Sequence, residues 1–354
     1  MGAWYFLELD NFFGNSAVVT ALTEMAASGR IPQTLLLSGP QGVGKATLAR
    51  RFASLLVGDG APADAVKIER DDLSLEANLE IIADREKWPS DKRNEDPLFF
   101  ASHSDVLTFA PDGPLRQITI QQMRLLKERA SLKPLKGSWR VFLIDDIDRA
   151  NEQAANSLLK TLEEPPPHLI LIMTARNPYD LLATIRSRAV PFGLSRLTDE
   201  EMRAFAAARQ LDHAERRLRL AEGSPGVAVA LDLETYDRRR DAMLALLRVA
   251  SGLEPFGTWL KHSDSIAARR TEKLDSYLDV LYVLLEDILR VAHGIAPLRN
   301  EDVRGQLEPL AQRVSFAWLR AAVARVDQLV HLVRRNIQKS IALDAFAAEL
   351  RGGV

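Results

Sequence analysis

The sequence predicts an α/β protein, a parallel β-sheet flanked by helices, continued by parts that are helical throughout. Three observations predict it. Short apolar runs alternate with helical spacings through the first 195 residues, as strands joined by crossover helices do. Strand signals stop after about residue 195, and the rest keeps a helical period. The 354 residues make room for two or three domains at ~150 residues each, and a 47% hydrophobic content supplies their cores.

Ala17–Ser28 has a short helical period. Thr34-Leu35-Leu36-Leu37-Ser38, followed by Gly39, reads as a buried parallel strand entering a turn. Thr47–Leu56 carries apolar residues at 48, 49, 52, 53, 55 and 56, a helical spacing. Asp59–Asp96 contains 12 acidic and 6 basic residues and few apolar stretches. Residues 58–100 are therefore expected to form an insertion or mobile loop, with a short helix around Leu75–Ala83. Trp88-Pro89 and Asp96-Pro97 break anything longer.

Asp105–Phe109 suits a strand, Ile118–Ala130 a helix and Arg140–Ile144 a strongly apolar strand. Asn151 can cap a helix running to Glu163, with Ala154, Ala155, Leu158, Leu159 and Leu162 as its stripe; Pro165-Pro166-Pro167 stops it. Leu169–Met173 is a further strand. Thr198-Asp199-Glu200-Glu201 opens a capped helix, and Gly223-Ser224-Pro225-Gly226 separates two helices. Leu274, Leu278, Leu281, Leu285 and Ile288 share one helical face, as do Leu319, Val323, Val326, Val330 and Val333. The expected division is an α/β domain over 1–195, a small helical domain over 196–234 and a helical C-terminal domain over 235–354.

Composition excludes several chemistries. A net charge of −2 argues against DNA binding by bulk charge. The absence of cysteine excludes disulfides, thiol nucleophiles and cysteine-ligated zinc. The six histidines lack metal-ligand spacing. No apolar run reaches the ~18 residues of a membrane span. Met1–Gly14 carries Glu8 and Asp10 rather than a basic cluster, unlike a signal peptide, so a cytoplasmic location is expected. Arg216-Arg217-Arg219 and Arg238-Arg239-Arg240 read as solvated helix faces in preference to DNA contacts.

Gly39-Pro40-Gln41-Gly42-Val43-Gly44-Lys45 fits G-x-x-x-x-G-K between a strand and a helix. Glycines let backbone N–H groups wrap a phosphate, the helix N-terminus faces the anion, and Lys45 reaches the outer phosphates. A glycine-rich turn with an exposed lysine has the same composition but lacks that strand and helix. The next position needs a hydroxyl for Mg²⁺ and holds Ala46; Thr47 is displaced by about 100° around the helix. Nucleotide binding is expected to survive, with Mg²⁺ binding and hydrolysis weakened. About 100 residues on, Val141-Phe142-Leu143-Ile144-Asp145-Asp146 ends a buried strand in carboxylates. Asp145 suits a Mg²⁺ ligand. Asp146 stands where a water-orienting glutamate is common and is one methylene shorter. Thr184-Ile185-Arg186-Ser187-Arg188 is by itself a basic pair on a helix or turn.

These segments, with Asn156-Ser157-Leu158-Leu159-Lys160-Thr161-Leu162-Glu163-Glu164-Pro165-Pro166 as the most specific, resemble the AAA+ clamp-loader family of bacterial DNA polymerase III, and within it the delta-prime branch. The resemblance implies a P-loop NTPase fold with a helical lid (196–234) and an all-α collar (235–354). It implies that Arg188 acts in trans as an arginine finger on a neighbour's nucleotide. The implied partners are gamma/tau motor subunits, a delta subunit, a sliding clamp, and primed-template DNA held through the assembly. The implied ligand is ATP or ADP at Gly39, Gln41, Gly42, Val43, Gly44, Lys45, Ala46 and Thr47.

Departures from the motor subunit of that family point the same way. They are Ala46, Asp146, Gly226 in place of a second-sensor arginine, and a first sensor that counts back to Arg176 where Thr or Asn is usual. The four cysteines of a zinc module are missing from 58–100, and the chain stops at Val354 without a long tail. The implied subunit has little or no ATPase of its own and no polymerase site, while belonging to a polymerase holoenzyme. Two readings stay open beside it: an active AAA+ ATPase, and a nucleotide-sensing interaction protein outside replication.

Overall fold

The computed structural model describes residues 9–57, 61–269, 272–333 and 338–351. Two compact units make up the chain. One comprises residues 1–214 and 221–230, the other 215–220 and 231–354.

The first unit runs α1 (Ser16–Ser28), β1 (Thr34–Ser38), α2 (Lys45–Leu56), α3 (Pro62–Glu69), α4 (Glu76–Arg85), α5 (Ser90–Glu95), β2 (Phe100–His103) and β3 (Val106–Phe109). It continues with α6 (Ile120–Ala130), β4 (Arg140–Ile144), α7 (Glu152–Glu163), β5 (Leu169–Ala175), α8 (Ala183–Arg186), β6 (Val190–Gly193), α9 (Asp199–Arg209) and α11 (Pro225–Ala230), while α10 (Ala214–Ala221), between the last two, lies almost wholly in the second unit. The strands form one sheet in the order β2-β3-β4-β5-β1-β6. All neighbours are parallel except the β2–β3 pair.

Strand alternation divides the core between the two faces of the sheet. Leu36, Phe142, Ile144, Leu171 and Met173 pack with Leu126 of α6 and Leu158 of α7. Leu35, Leu37, Val141, Leu143, Ile170 and Ile172 pack with Leu22 of α1 and Leu48 and Phe52 of α2. Strands buried on both faces read as continuous apolar runs, which is why β1, β4 and β5 were visible in the sequence. The Asn151 side chain caps α7 by accepting from the Ala154 N–H (2.8 Å), and Thr198 and Glu201 form a capping box on α9.

Residues 61–100 overturn the expectation of a mobile loop. They form α3, α4, α5 and β2, with α4 where the short helix was expected, and some of their charges are paired internally. Arg50 of α2, 2% exposed, pairs with Glu69 (3.2 Å) and Asp72 (2.5 Å). The buried Arg85 pairs with Asp112 (2.8 Å), and Asn78 donates to the carbonyls of Arg70 and Asp72. Acidic content misled because Glu69 and Asp72 compensate the buried Arg50 guanidinium, while exposed acids such as Glu76, Glu80 and Asp91 sit on ordered helices.

The second unit contains α12 (Leu233–Ala250), α13 (Gly257–Ala268), α14 (Asp275–Ala292), α15 (Arg304–Arg313), α16 (Phe316–Val333) and α17 (Lys339–Arg351). The Leu274–Ile288 stripe is buried as expected. On α16 the buried face is instead Trp318, Leu319, Ala322, Val326 and Leu329. Val323 and Val330 are exposed, and the Val333 side chain lies outside the described residues.

The arginine runs correct another expectation. Arg240 is buried, bonded to Asp302 (2.7 Å) and paired with Asp237 (3.1 Å); Arg238 and Arg239 hold Glu272; Arg216 pairs with Asp237. They tie helices together rather than forming a solvated face.

Trp259 anchors this unit, fully buried, with its indole N–H donating to Asp344 (2.5 Å), which also accepts from Ser263 (2.8 Å). Trp259→Ala is expected to lower the stability of the helical unit by about 3–5 kcal/mol through the cavity it leaves. Urea unfolding followed by circular dichroism measures this. A midpoint unchanged from wild type would remove Trp259 as the anchor.

Candidate functional site

Three neighbouring strands, β4, β5 and β1, deliver their C-terminal ends to one place. In parallel α/β sheets that edge is where ligands bind. The N–H of Gly39, after β1, donates to the carbonyl of Ala175, the last residue of β5 (3.1 Å). Asp145 and Asp146 follow β4, and Thr174 lies near the end of β5.

The phosphate-loop candidates divide by what surrounds them. Lys45 is buried, and its Nζ donates to the carbonyls of Gly39 (2.8 Å) and Pro40 (3.0 Å). Burial pushes its ammonium below the ordinary range, against the opposing pull of Asp146 and Asp145. Val43 sends its side chain into the core, Gln41 is exposed, and Ala46 and Thr47 lie in the first turn of α2.

Three glycines are required by protein packing. A Cβ on Gly39 would lie 2.2 Å from the Leu194 carbonyl oxygen, on Gly42 2.7 Å from Val227, and on Gly44 2.8 Å from the Phe12 ring. Gly226 completes the arrangement. Its N–H donates to the Gly42 carbonyl (2.8 Å), and a Cβ there would stand 3.0 Å from that oxygen. The start of α11 therefore rests directly on the loop.

The acids form a tight set. Thr174, fully buried, donates its hydroxyl to Oδ1 of Asp145 (2.5 Å) and accepts from the N–H of Asp146 (2.9 Å). Burial first, then repulsion from Asp146, raises the Asp145 carboxyl above the ordinary range; the Thr174 bond opposes this. Asp148 is raised for the same two reasons, and the Arg176 N–H donates to it at 3.4 Å.

Counting back along the sequence puts the first sensor near Arg176. In the structure the polar side chain bonded to the acids at this strand end is that of Thr174, and Arg176 is exposed. The signal was a threonine at the end of an apolar run, the first residue of β5 beyond Met173, where the expected strand stops.

The fit to a nucleotide with Mg²⁺ is partial. Loop N–H groups, the α2 N-terminus and Lys45 suit phosphate. The metal would have Asp145 but no hydroxyl at position 46, so the protein ligand set is incomplete. Among the described residues there is no group of three or more His, Cys, Asp or Glu able to hold a metal. Among them, too, no helix is long and apolar enough to cross a membrane.

Arg188 bonds to none of these groups. It follows α8, is exposed, and donates to the Thr184 carbonyl (2.9 Å), the Ser187 hydroxyl (3.4 Å) and Glu163 Oε1 at the end of α7 (2.7 Å).

Residues 14–198 match the family described as "DNA polymerase III, delta subunit", and residues 261–346 match "DNA polymerase III, delta subunit, C terminal". The chain is 31% identical over 229 residues to the DNA polymerase III subunit delta' of Escherichia coli, covering 64% of this chain and 66% of that protein. It is 32% identical over 195 residues to the DNA polymerase III subunit gamma/tau of Mycobacterium bovis, covering 55% of this chain and 30% of that one. A solved gamma subunit-related protein of Thermotoga maritima aligns over 94% of this chain and 98% of its own, at 16% identity and a TM-score of 0.46. The first of these matches spans just over half of the chain, from before β1 to the cap of α9, and takes in the loop, the acids and Arg188: the chain belongs to the DNA polymerase III delta subunit family.

Proposed function

We propose that this chain is a stator-like AAA+ subunit of a clamp-loader ring in DNA replication. It supplies Arg188 to the ATP site of a neighbouring gamma/tau-type motor subunit. The ring, which would include a delta-type subunit, opens a sliding clamp and places it on primed-template DNA. In this reading residues 1–195 form the AAA+ domain, 196–234 the lid and 235–354 the collar, in a cytoplasmic assembly. The chain's own loop, Gly39–Thr47, holds ATP or ADP without turning it over efficiently, and Asp145 and Asp146 are remnants of the hydrolytic pair.

One contrast carries the reading. Arg188 is exposed and held by Glu163, Thr184 and Ser187, whereas the chain's own site lacks the position-46 hydroxyl and has Gly226 bonded to the loop itself. An exposed guanidinium can neutralise charge developing on the γ-phosphate of a nucleotide held by another subunit.

Thr174, in register with both acids, favours a second reading, an active ATPase. One assay separates the two. The isolated chain should hydrolyse ATP well below ~1 s⁻¹, under the common enzyme range, yet assemble with motor subunits on size-exclusion chromatography. Turnover near or above that rate selects the active ATPase. Failure to assemble selects a sensing protein outside replication.

A further inference from the structure

We propose that Glu163 is a positioning residue for Arg188, holding the guanidinium in one orientation for the neighbouring subunit. The inference rests on the arginine-donor reading above and adds a residue and a mechanism to it.

Arg188 lies 25 residues from Glu163 in sequence, and two separate elements bring them together. Glu163 is the last residue of α7, and Arg188 follows the one-turn helix α8. The two helices pack against each other, with Leu158 and Leu162 of α7 and Ile185 of α8 in one core cluster. Three proline residues after Glu164 prevent α7 from continuing, so the carboxylate stands at a fixed end.

The three bonds on the guanidinium divide between its ends. Nη1 donates to the Thr184 carbonyl and the Ser187 hydroxyl, and Nη2 donates to Glu163 Oε1 at 2.7 Å. The remaining N–H groups have no partner among the described residues, so the group keeps donors for an anion while its orientation is set.

An arginine side chain free in water samples many rotamers, and holding it in one removes that entropy before the neighbour's nucleotide arrives. The contact with Glu163 is half-exposed, so screening keeps it weak enough not to sequester the charge. Holding and releasing Arg188 make opposite predictions. If Glu163 positions the guanidinium, removing the carboxylate slows the neighbour. If Glu163 neutralises it, removal speeds the neighbour.

The test uses the reconstituted ring of full-length chain, motor subunits and delta-type subunit with primed DNA, reading single-turnover phosphate release at the site next to this chain. Glu163→Ala should slow that site by between about tenfold and a hundredfold with the KM for ATP unchanged. Glu163→Gln, which retains an acceptor at the same reach, should recover part of the rate. Neither should change the thermal midpoint of the free chain, and Glu163→Ala should cause no further loss in an Arg188→Ala background. A wild-type or faster rate in Glu163→Ala overturns the positioning role and leaves the arginine-donor reading standing. An Arg188→Ala ring with wild-type hydrolysis overturns that reading and this inference with it. An additive loss in the double variant also overturns it, because Glu163 would then act elsewhere.

Discussion

Alanine in place of Arg188 is expected to leave the ring assembled while slowing hydrolysis at the site that receives it by roughly 10³-fold. The size follows from the chemistry. The transition state of phosphoryl transfer spreads charge over the γ-phosphate oxygens, and a guanidinium aimed there is worth far more than in water, because the interface excludes solvent. Assembly should survive because Arg188 is exposed and its bonds are to surface groups. The exposed pair with Glu163 contributes at most about 1 kcal/mol to folding. Rapid-quench measurement on the reconstituted ring should show the burst of phosphate reduced by one site, and clamp loading on primed DNA slowed. Unchanged hydrolysis and loading in Arg188→Ala would remove the trans-arginine role altogether.

Gly39→Ala is expected to destabilise the α/β unit by roughly 3–4 kcal/mol, combining a backbone conformation rarely adopted by other residues with a steric clash. Gly39 has φ +152° and sits between two strands. Its N–H is bonded to Ala175, while the Leu194 carbonyl passes so close that an added Cβ would lie 2.2 Å from the oxygen. That oxygen cannot retreat, because the Leu194 N–H is bonded to the Ser38 carbonyl at 2.7 Å. Thermal unfolding should show the midpoint of this unit lowered by about 10 °C. A midpoint within two or three degrees of wild type would mean the strand ends part more easily than this geometry allows. The consequence extends to function, since Gly39 and Lys45 are bonded to each other across the loop.

The elements most legible in the sequence were those whose burial is two-sided or whose caps are local. β1, β4 and β5 are apolar along their length, and Asn151 and Thr198 cap the helices that follow them. β2 and β6 were missed. Each has four residues at an edge of the sheet, and β6 is mostly exposed, so neither leaves a clear apolar signature. Within 61–100 the helix now seen as α4 was expected, while α3 and α5 were missed because charge was read as solvation, whereas Arg50 draws Glu69 and Asp72 inward. Thr174 was missed because strand ends are set by hydrogen bonds to neighbouring strands, and Ala175 is retained in β5 by pairing with Ser38.

What the sequence determined by itself is the chemical inventory: a glycine loop ending in Lys45, Ala46 where a hydroxyl is needed, two adjacent acids, and an arginine in a T-I-R-S-R segment. These are matters of residue type and local spacing, which survive without knowing the fold. Tertiary structure decided how the inventory is used. It placed Thr174 between Asp145 and Asp146, set Gly226 on the loop, and brought Glu163 to Arg188. Each of these contacts joins residues 25 to 184 positions apart. Strand order and helix packing bring such residues together, and no local pattern in the chain encodes that proximity.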